Sequence, residues 1–225
     1  MTQHTLPIVR HDLPMPEKRE APLKEEIALL EPFQGVSLEN IIVPTTKEQF
    51  AAAATELFRC RFVGFDTESK PVFIQGQTSD GPHVLQLATL DKTYIFQLHH
   101  AECLDFIKQL LESRRIIKVG FGLKSDRAHL HRKLGITLQA ILDLDALFRN
   151  DGYRKDIGVK TAVAIVLHKR FQKSKKVSTS NWSREQLTPA QLMYAANDAY
   201  AALKVLHALN RSESELPITD RGTEN

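Results

Sequence analysis

The chain has 225 residues and only two cysteines, Cys60 and Cys103. They form no Cys-x-x-Cys pair, which argues against a disulfide framework and against a cysteine-rich zinc site. No apolar run approaches the ~20 residues that a membrane helix needs, so no membrane partner is expected. Met1-Thr2-Gln3-His4 opens no basic-then-apolar leader, and the expected location is the cytoplasm. Internal repeats are absent. Proline is scarce outside the start of the chain: five of the ten prolines lie within the first 36 residues, where nothing periodic survives. Residues 1–36 therefore read as a flexible N-terminal arm, with Glu25 to Leu30 able to form one short helical turn. The remaining length is ample for a buried core.

The net charge of +3 hides an uneven distribution. Residues 1–36 carry −2, residues 212–225 carry −3, and residues 37–211 carry +8. A basic body between acidic tails suits a polyanionic partner. Its densest stretch runs from His168 to Lys176, with five formal positive charges at Lys169, Arg170, Lys173, Lys175 and Lys176 and no acid. Such a run is ordinarily a solvated loop.

Patterning places an ordered domain at 37–211 and a flexible tail at 212–225. Ile41 to Val43, Arg61 to Asp66, His83 to Thr89, Thr93 to Leu98, Ile116 to Gly120 and Ile141 to Asp143 read as strands. Helices are predicted after a cap at Thr45 or Thr46, from Leu104, and from Leu123 to a stop at Gly135. A further helix covers Thr161 to Leu167. Ser183 with Gln186 fits a capping box, and Thr188-Pro189 with Gln191 marks the start of a long alanine-rich helix to about Arg211. Between Phe73 and His83 lies a loop. Strands interleaved with helices imply an α/β sheet domain.

Three acidic sites stand out. Asp66-Thr67-Glu68 closes the most strand-like segment. On extended backbone, residues i and i+2 share a face, so both carboxylates reach one point. A divalent cation would relieve their repulsion, and hard ions choose carboxylate oxygen. Asp126 lies in the first turn of a helix entered from a strand, where the helix dipole also favours an acid. Tyr194 and Asp198 are four apart on one helix face, among alanines that would let the face press on a sheet. Asp143-Leu144-Asp145 fits a capping role, His129 and His131 lack zinc-helix spacing, and the Gly120-Phe121-Gly122 run lacks the third glycine of a dinucleotide loop.

In their order along the chain, these sites resemble the three motifs of the DEDDy exonuclease superfamily: DxE at Asp66 and Glu68, a mid-chain Asp126, and YxxxD at Tyr194 and Asp198. Phe65 to Glu68, Val84 to Ala88, Lys118-Val119-Gly120, Ser180 to Ser183 and Tyr194 to Ala201 are similar to the ribonuclease D-type 3′–5′ exonuclease domain, nearest its Werner-helicase branch. The resemblance spans about residues 40–210. It implies a ribonuclease H-like fold, with a central mixed β-sheet flanked by α-helices, and two divalent metal ions, Mg²⁺ or Mn²⁺. It places Asp66 as a bridge between the ions, Glu68 and Asp198 on the ion that activates water, Asp126 on the second, and Tyr194 against the attacking water or the scissile phosphate.

The implied activity is 3′–5′ hydrolysis of nucleic acid, with DNA favoured over RNA. The other readings are an exoribonuclease on structured or short RNA and a non-catalytic binding module. The basic run, in this family context, borders the substrate groove. Phe121 beside the second motif and Trp182, the single tryptophan, are aromatic candidates for contact with a base, although a lone tryptophan more commonly anchors a core. Relatives place an arginine shortly before that tryptophan. None stands between Val177 and Trp182, leaving Lys175 and Lys176 to substitute.

Overall fold

A computed structural model of the chain describes residues 18–72 and 79–220. Among these residues, eight α-helices and six strands follow one another as α1 (Lys24–Ala28), β1 (Ile41–Ile42), α2 (Lys47–Leu57), β2 (Phe62–Glu68), β3 (Val84–Ala88), β4 (Thr93–Gln97), α3 (Leu104–Glu112), β5 (Ile117–Gly120), α4 (Lys124–Leu134), β6 (Ile141–Asp143), α5 (Leu144–Asn150), α6 (Val159–Leu167), α7 (Lys175–Ser178) and α8 (Pro189–Leu209). The strands form one mixed sheet in the order β1-β4-β3-β2-β5-β6. β2 pairs antiparallel with β3 and parallel with β5, which puts the strand carrying Asp66 and Glu68 at the centre.

Strand alternation sorts the core into two layers. Val63, Phe65, Leu85, Leu87, Tyr94 and Phe96 face one side and pack with Phe50 and Leu57 of α2, Ile107 and Leu110 of α3, and Leu130 of α4. Val84 and Ile95, on the opposite face, meet Ala195 and Ala196 of α8 and Trp182. Ile117, Val119 and Leu142 meet α5, α6 and the later turns of α8. The alanines let α8 lie unusually close to the sheet, and Gly64 completes the approach. A Cβ there would come within 1.9 Å of the Ala199 carbonyl oxygen. Gly64→Ala is expected to lift α8 from β2 and destabilise the fold by about 3 kcal/mol, the scale of an overpacked core. A urea midpoint unchanged from the parent would refute that close contact.

Helix ends follow the sequence signals. Thr46 and Thr188 form capping boxes with Gln49 and Gln191, Pro189 opens α8, and Gly135 ends α4 in the left-handed region at φ 65°. The predicted capping box at Ser183 does not form. Its backbone N–H and hydroxyl both donate to Asn181 Oδ1, at 3.1 and 2.7 Å, and close a turn instead.

Both expected flexible ends need correction where they are described. Residues 18–36 are docked, because the segment carries its own apolar anchors. Phe33 packs on Phe171 and Tyr200, Val36 is buried, and the Val36 N–H donates to Asn197 Oδ1 at 3.0 Å. Backbone bridges join Arg19 to Tyr153 and Pro32 to Arg170. Likewise residues 212–220 fold back: Leu216 is buried, and Thr219 exchanges backbone hydrogen bonds with Ile141 on edge strand β6. Residues 1–17 of the expected arm, 73–78 of the predicted loop and 221–225 of the tail lie outside the described residues.

Candidate active site

Asp66 and Glu68 project from the end of β2 on the face covered by α8, whose third turn brings Asp198 down onto them. One carboxylate oxygen from each lies within 4.8 Å of the others. Asp126 approaches from the first turn of α4 on the other face of the sheet and is buried. It does not join the group of three. Its Oδ1 accepts a hydrogen bond from Thr67 Oγ1 at 2.5 Å, so the residue between the two acids of the DxE motif, pointing the opposite way, holds the neighbouring acid. The turn into α4 is itself clamped by Asp143, whose two oxygens accept from the N–H groups of Gly122 and Leu123 at 3.0 Å each. Asp143 also caps α5. The Asp-x-Asp at 143–145 is thus structural, and it positions Asp126 indirectly.

The electrostatics are those of acids crowded away from water. Burial, then Asp198, Asp126 and Glu68, push the Asp66 carboxyl well above the ordinary range. Burial and Asp198 push Glu68 up to about 8, partly offset by Lys173. Asp198 rises to about 6 through burial, with Lys173 again opposing. Burial raises Asp126 as well, against the lowering hydrogen bond from Thr67. Tyr194 is raised to about 12 by burial and Asp198, so its phenol keeps its proton at neutral pH.

This donor set fits divalent cations. It is all carboxylate oxygen, the mutual repulsion asks for positive charge, and Asp198 Oδ1 is buried with no hydrogen-bond partner among the described residues. Thr67→Val is expected to keep the fold but slow metal-dependent activity 10–100-fold, on the order of losing a group that orients a ligand. Equal rates would show that Asp126 needs no such support.

The basic run divides. Lys173 reaches into the acidic centre, with Nζ 2.6 Å from Asp198 Oδ2 and 5.1 Å from the centroid of the Tyr194 ring. Lys169, Lys175 and Lys176 are exposed, the latter two on α7. Arg170 departs from its expected role at the substrate. Its Nη1 donates to the Ala28 carbonyl at 2.9 Å, tying the N-terminal segment to the body rather than standing free for phosphate. Trp182 is a second correction. It is 1% exposed, packs against Tyr194 at 5.8 Å, and donates its indole N–H to the Ser178 carbonyl, so it supports the tyrosine and offers no face to a base. Phe121 is half-buried and lines a cleft of about 80 Å³ with Asp66, Gly120, Lys173 and Asp198.

Thr67, Asn197 and the inward turn of Lys173 escaped the sequence reading. Strand alternation could have flagged Thr67 as a neighbour of groups on the other face. Nothing local marks Asn197, whose partner Val36 is 161 positions away.

The 3′-5′ exonuclease family model matches residues 41–212. The bifunctional 3′-5′ exonuclease/ATP-dependent helicase WRN of Mus musculus is 31% identical over 170 residues, covering 69% of this chain and 12% of that protein. A 3′-5′ exonuclease of Arabidopsis thaliana is 29% identical over 144 residues, covering 63% of this chain and 50% of its own. This chain therefore spans half or less of the length of both relatives. Among solved structures, the Aedes aegypti Nibbler EXO domain superposes with a TM-score of 0.67 at 22% identity, covering 81% of this chain and 92% of that one. Trypanosoma brucei RNase D superposes at 0.69 and 21% identity, covering 77% and 65%. At such identities these structures speak for the fold, which is the ribonuclease H-like sheet flanked by helices.

Proposed function

The chain belongs to the 3′-5′ exonuclease family, and from that premise we propose that it hydrolyses nucleic acid from the 3′ end with the help of two divalent ions, releasing nucleoside 5′-monophosphates, with DNA as the favoured polymer. The observation that carries the reading is the convergence of Asp66, Glu68 and Asp198, with Asp126 held beside them. In the reaction water forms a bond to phosphorus, the bond from phosphorus to the leaving 3′-oxygen breaks, and the proton ends on that oxygen.

Asp66, Glu68 and Asp198 would hold one ion, and Asp66 with Asp126 the other. Bound Mg²⁺ or Mn²⁺ there would supply Lewis-acid stabilisation of charge on the phosphoryl group and an acidified water. The side chains do the rest. The protonated Tyr194 phenol, braced by Trp182, can donate a hydrogen bond to the phosphate or orient the attacking water. Phe121 lines the small cleft, where a terminal base or sugar can rest on it. Exposed Lys169, Lys175 and Lys176 suit backbone phosphates, contacts that carry no sequence information and weaken with salt.

A second reading, exoribonuclease activity, has its own support: a solved Trypanosoma brucei RNase D in complex with RNA U12 shares the fold at a TM-score of 0.68. End-labelled single-stranded DNA, 3′-recessed DNA and RNA of matched sequence, each with Mg²⁺ or Mn²⁺ and with EDTA, separate the readings. Faster shortening of DNA from the 3′ end supports the proposal. A large preference for RNA replaces the polymer but keeps the chemistry. Tight, metal-independent binding with no shortening of any strand would make the chain a binding module.

A further inference from the structure

Lys173 occupies a place that phosphate binding alone does not account for. It lies between α6 and α7, in a stretch dense in lysine, yet its ammonium is turned away from its neighbours and into the carboxylates, 2.6 Å from Asp198 Oδ2. Its side chain is 30% exposed and that of Asp198 only 4%. The same pair stands between two cavities. On one side is the cleft of about 80 Å³ that contains Asp66 and Phe121. On the other is a cavity of about 410 Å³ between the 171–177 stretch and α8, bordered by Phe171, Val177, Met193, Tyr194 and Asn197. Among the described residues that line them, Lys173 and Asp198 alone are common to both.

An ammonium ion in a nest of carboxylates does the electrostatic work of a metal: it offsets the repulsion among Asp66, Glu68 and Asp198. It also blocks a metal, because a lone pair of Asp198 that faces Nζ at 2.6 Å cannot simultaneously face a second cation. We propose that Lys173 is a tethered counter-cation that fills the carboxylate site in the metal-free protein, and that divalent metal displaces it, freeing residues 172–174 between the docked Arg170-Phe171 pair and α7 and joining the two cavities into one groove for the terminal nucleotides. The inference rests on the metal-site reading above and adds to it a competition between a side chain and the metal. Metal occupancy and the shape of the substrate groove then become one equilibrium: a ligand that favours the open groove also favours the loaded site.

The test uses the full chain and Mn²⁺ alone, without nucleic acid, by titration calorimetry on the parent, Lys173→Met, Lys173→Arg and Asp198→Asn. Lys173→Met is expected to bind Mn²⁺ about 10-fold more tightly than the parent, having lost the competitor, while Lys173→Arg stays within a few-fold. Hydrogen exchange of the 172–174 backbone in the parent is expected to speed up on Mn²⁺ addition. Unchanged or weaker Mn²⁺ binding by Lys173→Met overturns the proposal, as does exchange in the parent that ignores Mn²⁺. The parent measurement stands even if the methionine variant does not fold. Asp198→Asn separates this failure from that of the site itself: if it binds Mn²⁺ as the parent does, the carboxylates are not the metal site. If it loses binding while Lys173→Met is unchanged, the site stands and only the counter-cation is wrong.

Discussion

Asp66→Asn is expected to abolish 3′–5′ hydrolysis, by about 10³-fold or more, and at the same time to raise the melting temperature of the metal-free protein. The first effect follows from its position. Asp66 lies near the end of the central strand, and it feels Asp198, Asp126 and Glu68 together. Removing one preorganised electrostatic group from an active site typically costs about 10²–10³ in rate, and a ligand shared between two ions sits at the top of that scale. The second effect follows from the same crowding. A carboxylate forced among three others destabilises the fold in which it is held, and an amide of the same shape removes that repulsion. Activity on an end-labelled strand and a thermal scan in EDTA check both halves. A variant that keeps parental hydrolysis removes the carboxylate mechanism. One that is inactive only because it melts earlier makes Asp66 a structural residue.

The metal-free protein is expected to lose stability as pH rises from about 4 to 8, and Mn²⁺ is expected to flatten that dependence. The window is set by Glu68, lifted from 4.5 to about 8, and Asp198, lifted from 3.8 to about 6. A carboxyl with a raised pKa keeps its proton in the folded state at a pH where the unfolded chain has already released it. The folded state then binds more protons, so the stability fully present below the unfolded pKa is lost as pH climbs through the folded one. Saturating metal binds only the folded form and offsets the same repulsion, so it stabilises most at the alkaline end. Thermal scans in EDTA and in Mn²⁺ between pH 5 and 8 measure it. A melting temperature in EDTA that rises with pH would contradict the burial of these carboxyls.

Much of the architecture was written in local pattern. The strands at 62–68, 84–88, 93–97 and 117–120 carry β-branched and aromatic residues at sheet spacing, and the helix starts at Thr46 and Thr188 carry capping chemistry that acts within four residues. The failures have local causes too. Ser183 carried a cap signal, but its partner proved to be Asn181, two residues back, because a turn satisfies the same donors as a helix. Proline density made residues 18–36 look unstructured, yet Phe33 and Val36 found their partners across the chain, on Phe171 and Asn197.

What the sequence by itself determined is the periodicity that builds a mixed sheet between helices, and the presence, in order, of Asp66, Glu68, Asp126, Tyr194 and Asp198. Only the tertiary structure decided which of those acids meet, that Thr67 holds Asp126 while Lys173 turns inward to Asp198, and that Trp182 is shut away behind Tyr194. The physical reason is range. Strand and helix periods and caps act over a few residues, whereas a carboxylate's neighbours depend on how closely α8 lies on β2, and that distance is set by Gly64 meeting the Ala199 carbonyl from 135 positions away.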